Sequence, residues 1–245
     1  YYTENASERV KYKERKRKKK GYEISSEGVN ILKVYQVSLS DSGWVNRKEL
    51  PFNSNEYSCT HPSISGDGSA LYFVSNMEGG YGGYDLYVSY KTDTSWSKPK
   101  NLGPSVNTAS NEMTPFCIED VIYFSSKGNM GYGGADIFKA QFKNGELISV
   151  KNIGKPFNTS KDDFAFVMHA DKEHGYLSSN RAGTHGYDHI YGFEKFEIIY
   201  PDTIRGIAMN RITGIPIRGV KVTIEPDLEN VFHKIEETDQ GGKIE

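Results

Sequence analysis

The sequence predicts an all-β chain, with a β-propeller of four-stranded blades followed by part of a small β-sandwich. Two observations support the propeller. Three segments repeat at steps of 51 and 53 residues, and the composition (Gly 25, Tyr 17, 13% aromatic) is typical of short strands joined by tight turns. The length of 245 residues allows one large β domain and a smaller second one.

The repeat is clearest in three Gly-rich segments. They read LYFVSNMEGGYGGYDLYVS from Leu71, IYFSSKGNMGYGGADIFKA from Ile122 and YLSSNRAGTHGYDHIYGF from Tyr176. A weaker fourth copy lies upstream, from Tyr1, and Trp44 and Trp96 are 52 residues apart. We therefore assign residues 1–196 to about four propeller blades.

Each repeat contains four short apolar or alternating runs separated by turn residues. In the second repeat these runs are Pro62–Ser65, Leu71–Ser75, Asp85–Tyr90 and Trp96–Leu102. Four strands in a repeat of about 40–50 residues are typical of a propeller blade. A solenoid is the alternative, but its turns are shorter and lack a long Gly-rich hairpin. Because blades pack side by side, five residues are predicted to be buried between them: Phe73, Leu86, Phe124, Ile137 and Ile190.

A different pattern begins near Thr203. Ile204–Ala208 and Val220–Glu225 alternate like strands, with the turn Thr213-Gly214-Ile215-Pro216 between them. Residues 203–245 resemble the first part of a carboxypeptidase regulatory-like β-sandwich. We expect the chain to be a piece of a longer protein, because this segment is too short to close its own core.

The Gly-rich hairpins are interpreted as structural. The segment GGYGGYD at Gly79–Asp85 feeds a strand rather than a helix N-terminus, which argues against a phosphate loop. Acidic side chains at such turns accept hydrogen bonds from backbone amides, although a cation site is the alternative. The predicted structural repeat residues are Asp85, Asp136, Asp188, Gly83 and Gly134.

Catalytic and metal-binding patterns are scarce, so we predict no enzyme, no cofactor and no metal site. The chain has no G-x-S-x-G and no H-E-x-x-H motif. His185 and His189 are four residues apart, but that spacing brings ligands together on a helix, not on a hairpin. Cys59 and Cys117 are interpreted as two separate reduced thiols.

One rim of the propeller is a candidate partner-binding surface. The loops joining strands two and three and those joining successive blades emerge on the same side. Exposed Tyr and Arg side chains on a rigid rim favour protein or glycan recognition. The basic run Lys11–Lys20 occupies the same loop position, although a solvated hairpin is the favoured interpretation of this run. The rim residues are Tyr81, Tyr132, Arg181, Asn107, Asn158, Lys16 and Arg17.

The chain as a whole carries little charge. The net charge of −2 provides no overall field for nucleic acid or anionic lipid, and no apolar run approaches the ~18 residues of a membrane helix.

The motifs PFNSNEYS, NLGPSVNTASNEMTPF, IYFSSKGNMGYGGADIF and YLSSNRAGTHGYDHIYGF resemble the propeller of PorE-like, OmpA-family envelope proteins, with TolB-like PD repeats. The resemblance covers about residues 31–245. It departs at His189, where the family tends to have Asp, and in the basic run.

The resemblance implies a periplasmic, outer-membrane-associated lipoprotein of a type IX secretion or gliding complex. Its partners would be other envelope proteins, with peptidoglycan bound only through a C-terminal domain absent from this chain. We therefore predict a non-enzymatic scaffold that docks partner proteins. The alternative is a glycan-recognising propeller linked to polysaccharide uptake.

Overall fold

The computed structural model describes residues 1–5, 25–26, 30–143, 145–181, 187–195, 206–224, 234–237, 239–240 and 243–244. These residues form β-strands and turns and no helix, which confirms the all-β class. None of them belongs to a helix that could span a membrane. The chain divides into two compact units, Tyr1–Lys195 and Phe196–Glu245.

The described residues of the first unit form four antiparallel sheets, one for each sequence repeat. The first sheet consists of β1 (Tyr2–Asn5), β2 (Leu32–Ser40) and β3 (Gly43–Glu49). The second consists of β4 (Cys59–Ile64), β5 (Ala70–Ser75), β6 (Asp85–Tyr90) and β7 (Lys100–Asn101). The third consists of β8 (Glu112–Ile118), β9 (Val121–Ser126), β10 (Asp136–Lys143) and β11 (Glu146–Asn152). The fourth consists of β12 (Asp163–Met168), β13 (His174–Ser179) and β14 (His189–Glu194). The predicted four strands thus occur in the second and third sheets, whereas the described residues of the other two sheets form three strands each.

The first strand of each of the last three sheets carries a β-bulge at the same place. The register shifts between Thr60 and Ser63 in β4, and equivalent shifts interrupt β8 and β12. A residue with positive φ lies in each bulge, namely His61 (49°), Thr114 (49°) and Ala165 (53°). A bulge bends its strand and increases the local twist, so the three sheets share a local shape as well as a strand order.

The core lies between consecutive sheets rather than within any one of them. One apolar cluster joins the first and second sheets, where the Phe52 and Phe73 rings stack with centroids 4.3 Å apart. A second cluster, which contains Leu86 and Phe124, joins the second and third sheets. A third, which contains Ile137, joins the third and fourth sheets. The inner sheets are therefore apolar on both faces.

Four of the five residues predicted to be buried between sheets are buried: Phe73, Leu86, Phe124 and Ile137. The prediction for Ile190 is wrong, because 77% of its surface is exposed. Ile190 lies on the outer face of the fourth sheet, and no described sheet packs against that face.

The second unit contains two short antiparallel strand pairs among its described residues. β15 (Gly206–Ile207) pairs with β18 (Lys243–Ile244), and β16 (Lys221–Ile224) pairs with β17 (Lys234–Glu237). Gly214, in the predicted turn, has a φ of 68°, which a glycine adopts without strain. Assignment of this unit to a β-sandwich stays a prediction.

Replacing Ile137 by Ala should lower the free energy of unfolding by about 2–5 kcal/mol, because it opens a cavity between the third and fourth sheets. Ile148 is the matched control: it lies in the same sheet and is 59% exposed. Its replacement by Ala should change the free energy by less than about 0.5 kcal/mol. Urea titration measures both, and equal losses for the two variants would contradict the inter-sheet core.

Candidate binding rim

The Gly-rich hairpins of the second and third sheets contact the loops that lead into β8 and β12, and we call this edge the rim. The hairpin joining β5 to β6 contacts the loop that leads into β8, because a Cβ on Gly82 would overlap the carbonyl oxygens of Thr108 and Ser110. The hairpin joining β9 to β10 contacts the same loop, at Thr108, through Gly128. The predicted placement of these loops at one edge therefore agrees with the contacts.

Hydrogen bonds from backbone amides latch the Gly-rich hairpins of the second and third sheets onto the following repeat. The Gly83 amide donates to the Ser110 carbonyl oxygen (2.8 Å), and the Tyr84 amide donates to Asn111 Oδ1 (3.0 Å). One repeat later, the Gly134 amide donates to the Lys161 carbonyl oxygen (3.2 Å). Gly83 and Gly134 thus have a structural role, because a Cβ on Gly83 would overlap the Asn111 side chain and one on Gly134 would overlap the Asp162 side chain.

The repeated aspartates hold the hairpins in shape. The carboxylate of Asp85 accepts hydrogen bonds from the amides of Tyr81 (2.6 Å) and Gly82 (3.1 Å). The carboxylate of Asp136 accepts the equivalent bond from the Tyr132 amide (2.7 Å). This is the turn-capping role that the sequence analysis expects.

The fourth sheet departs from this pattern. Asp85 pairs in register with Ser75, and Asp136 has the equivalent place in the third sheet. In the fourth sheet it is His189 that pairs with Ser179, while Asp188 precedes the strand and is exposed. Asp188 therefore does not occupy the position of the other two aspartates.

Asn107 and Asn158 are not rim residues, which corrects the sequence interpretation. Both side chains are buried. The Asn107 side chain accepts from the Leu86 amide (2.8 Å) and donates to the Leu86 carbonyl oxygen (3.0 Å). Asn158 makes the same two bonds with Ile137, at 2.8 Å each. A side chain that satisfies both polar groups of one buried strand residue serves the fold, not a partner.

Arg181 is also structural rather than free for a partner. Its guanidinium donates to the carboxylate of the buried Asp163 (2.8 Å) and to the Pro156 carbonyl oxygen (2.8 Å). A further bond reaches the carbonyl oxygen of Phe157. Only about 20% of the side chain is exposed, because the guanidinium compensates a buried carboxylate.

A second set of repeated acids, Glu112 and Asp163, is buried. The carboxylate of Glu112 accepts hydrogen bonds from the Thr108 hydroxyl (2.7 Å) and the Ser126 hydroxyl (2.8 Å). Asp163 accepts the equivalent bonds from Thr159 and Ser179. The signal that could have revealed their burial is a threonine four residues before each acid.

Two predicted rim residues are exposed on these loops. Tyr81 is 49% exposed and Tyr132 is 52% exposed. The backbone amide of each is fixed by an aspartate, and Lys155 Nζ lies 6.0 Å from the centroid of the Tyr132 ring. Lys16 and Arg17, with the rest of the basic run, lie outside the described residues.

The two cysteines are free, as expected. Burial raises the pKa of the Cys59 thiol to about 12 and that of the Cys117 thiol to about 11. Both thiols are therefore protonated at neutral pH, in the form that is a poor nucleophile and a poor metal ligand. Within the described ranges, no three His, Cys, Asp or Glu side chains are grouped so as to hold a metal ion.

Comparison with known proteins gives little. The sequence matches no protein-family model and no curated protein. Among solved structures, the chain is similar to a puromycin-hydrolyzing peptidase of Mycobacterium tuberculosis, with a TM-score of 0.43 and 13% identity. The match covers 73% of this chain and 32% of that chain. A similarity at this level carries no argument about function.

Replacing Gly133 by Ala should lower the free energy of unfolding by about 1–3 kcal/mol, because the added methyl would overlap the carbonyl oxygens of Thr159 and Lys161. Gly66 is the control, since its Cβ position meets no atom within 4 Å. Gly66→Ala should be neutral or slightly stabilising. Thermal or urea unfolding compares the two, and a stable Gly133→Ala protein would argue against the latch.

Replacing Arg181 by Ala should cost about 3 kcal/mol of stability, because the buried carboxylate of Asp163 loses its cationic partner. Adding Asp163→Asn should recover part of that loss. Lys155→Ala, on an exposed side chain of the same rim, should leave stability unchanged. Urea unfolding of all four proteins tests this, and an Arg181→Ala protein as stable as the parent would contradict the structural role.

Proposed function

We propose that the protein is a non-enzymatic scaffold whose sheets are successive blades of a β-propeller and whose rim docks partner proteins. Three features support the blade arrangement. The sheets follow the repeat in order, each packs on the next, and the second and third have four strands in simple up-and-down order. This combination is typical of propeller blades.

The observation that carries the proposal is the pair of half-exposed rings, Tyr81 and Tyr132, on immobilised turns. The backbone amide of each tyrosine donates a hydrogen bond to a buried aspartate. Each of the two hairpins is also hydrogen-bonded to the next repeat. Tyrosine provides a large contact area at a small cost in conformational entropy, and a rigid turn lowers that cost further. Asn107, Asn158 and Arg181 are engaged within the fold, which leaves the two rings as the recognition elements among the predicted rim residues that the structure describes.

The cellular setting rests on the sequence resemblance alone. We propose a periplasmic, outer-membrane-associated protein of a type IX secretion or gliding complex, with other envelope proteins as partners. Peptidoglycan contact would require a domain outside this chain.

Replacing both Tyr81 and Tyr132 by Ala should abolish capture of specific envelope proteins and leave the folded fraction unchanged, because both rings are exposed. The measurement is a quantitative pull-down from an envelope extract, read by mass spectrometry, with circular dichroism as the folding check. Tyr90→Ala is the matched control: Tyr90 is 44% exposed and ends β6 at the opposite end of the sheet from the rim.

The proposal predicts one set of proteins captured by the parent and by Tyr90→Ala, and lost with the double variant. Equal capture by all three proteins would exclude the rim as the docking surface. A glycan array run on the same proteins tests the alternative function. If the parent binds a sugar and the double variant does not, glycan recognition would replace protein docking as the proposed function.

A further inference from the structure

The rim changes its charge between the second repeat and the third. In the second repeat it consists of residues 76–84 and 103–111, in which Glu78 is the one charged side chain. In the third it consists of residues 127–135 and 154–162, which hold three lysines and one aspartate. Both segments are offset by 51 residues, so equivalent positions can be compared directly. A net charge of −1 in the second repeat thus becomes a net charge of +2 in the third.

The three lysines are exposed and have no acidic partner within the described part of the fold. Lysine replaces an asparagine, a proline and a serine of the second repeat, at Lys127, Lys155 and Lys161 respectively. All three side chains are exposed, and none of them belongs to an ion pair among the described residues. The aspartate, Asp162, is engaged with the hairpin, because its carboxylate accepts a hydrogen bond from the Ala135 amide (2.7 Å). The three ammonium groups are therefore available to an anionic partner.

The fold places these lysines around Tyr132. Lys155 Nζ lies 6.0 Å from the centroid of the Tyr132 ring. The Lys161 carbonyl oxygen accepts the latch hydrogen bond from the Gly134 amide (3.2 Å), two residues beyond the tyrosine. Lys127 begins the same hairpin. The backbone beneath the charges is thus fixed, while the long side chains can follow the shape of a partner.

The same hairpin also exposes apolar surface. Met130 is 95% exposed and Tyr132 is 52% exposed. Methionine and aromatic side chains are enriched in protein interfaces, and the unbranched methionine adapts to the apolar group that it meets. We call Lys127, Met130, Tyr132, Lys155 and Lys161 the third-repeat patch.

An apolar centre among lysines fits a peptide that carries both carboxylates and apolar side chains. An anionic polysaccharide would supply the charge but no apolar side chain for Met130. Sugar recognition also relies on polar side chains that fix the orientation of the ligand. Asn107 and Asn158 of the same loops cannot supply them, because both are bonded within the fold.

We propose that the third-repeat patch binds an acidic segment of a partner protein. Carboxylates of that segment lie beside the three lysines, and an apolar side chain packs on Met130 and Tyr132. Opposite charges steer such an encounter and select among partners. The inference rests on the proposed docking function of the rim and adds the chemistry of the partner.

Fluorescence anisotropy with a labelled peptide of repeating Glu-Glu-Leu units tests the proposal on the whole chain. A peptide of equal length with repeating Gln-Gln-Leu units is the neutral comparison. The parent should bind the acidic peptide more tightly, and raising the salt concentration from about 0.05 M to about 0.5 M should weaken that binding by screening. Combining Lys127→Gln, Lys155→Gln and Lys161→Gln should raise the dissociation constant at least about tenfold.

The matched control combines Lys91→Gln, Lys98→Gln and Lys143→Gln. It changes the net charge of the chain by the same amount, on exposed lysines. Lys91 and Lys143 lie at the ends of β6 and β10 that are away from the rim, and Lys98 follows a residue bonded to Tyr90. The control should leave the dissociation constant nearly unchanged. Circular dichroism should show both triple variants folded, because all six side chains are exposed.

Equal binding of the two peptides by the parent would overturn the proposal. So would equal weakening by both triple variants, which would show a general charge effect instead of a site. Sodium polygalacturonate is tested in parallel, and its binding through the three rim lysines in place of the acidic peptide would assign the patch to an anionic glycan.

The pull-down from the envelope extract separates this inference from the docking function. Capture that needs Tyr81 and Tyr132 but persists when the three rim lysines are replaced would keep the rim as the docking surface. The same result would overturn the acidic partner alone.

Discussion

Each inner sheet of the first unit is apolar on both faces, and a sheet of four short strands has no means of covering either face itself. β5 shows the consequence: Phe73 packs toward the first sheet, and its neighbour Val74 packs toward the third. Successive side chains of a strand point to opposite faces of the sheet, and usually one face is buried and the other is exposed to solvent. Here both faces are buried. The sheets are thus stable only as a series, and any sheet at the end of the series keeps one apolar face in need of cover.

Burying both faces of a sheet also buries backbone amide and carbonyl groups of its strands. Asparagine side chains form hydrogen bonds with these groups. Asn53, Asn107 and Asn158 each bond the amide and the carbonyl oxygen of a single residue, respectively Val34, Leu86 and Ile137. Each side-chain amide thereby imitates a short piece of a neighbouring strand. Because an unpaired buried polar group costs about 1–3 kcal/mol, these asparagines are as necessary to the series as the apolar contacts. They also tie the loop after each of the first three sheets back to one strand of that sheet, namely β2, β6 and β10.

The sequence was a good guide to whatever depends on local chemistry. The 51–53-residue period, the alternating runs and the Asp-capped turns all appear in the structure, since each is decided within a few residues. Burial depends on neighbours that are distant in the chain, and here the sequence misled. Asn107 in a turn-rich loop is indistinguishable by type from an exposed asparagine. Ile190 matches Ile137 in type and differs only in what packs on it.

Backbone strain was equally invisible in the sequence. Positive φ is usually signalled by glycine, yet the repeated bulges carry His61, Thr114 and Ala165 at that position. Side-chain hydrogen bonds between sheets meet at these bulges: the Ala165 amide donates to the Thr114 hydroxyl (3.1 Å). The conformation is therefore supported by the neighbouring sheet, which a scan for local turn signals does not see.

One position has the same place in the sheet in three repeats but carries a different type of side chain in each. Cys59, Glu112 and Asp163 begin the first strands of their sheets, each in register with a serine. The cysteine needs no compensation, because its buried thiol is neutral. The longer Glu112 reaches a threonine and a serine hydroxyl, and no cationic side chain among the described residues is bonded to it. The shorter Asp163 adds the guanidinium of Arg181, whose remaining bonds hold the carbonyl oxygens of the preceding loop. Arg181, which the sequence placed on the rim, is thus explained by a change from glutamate to aspartate in the fourth repeat, where the shorter acid is bonded by a long cationic side chain.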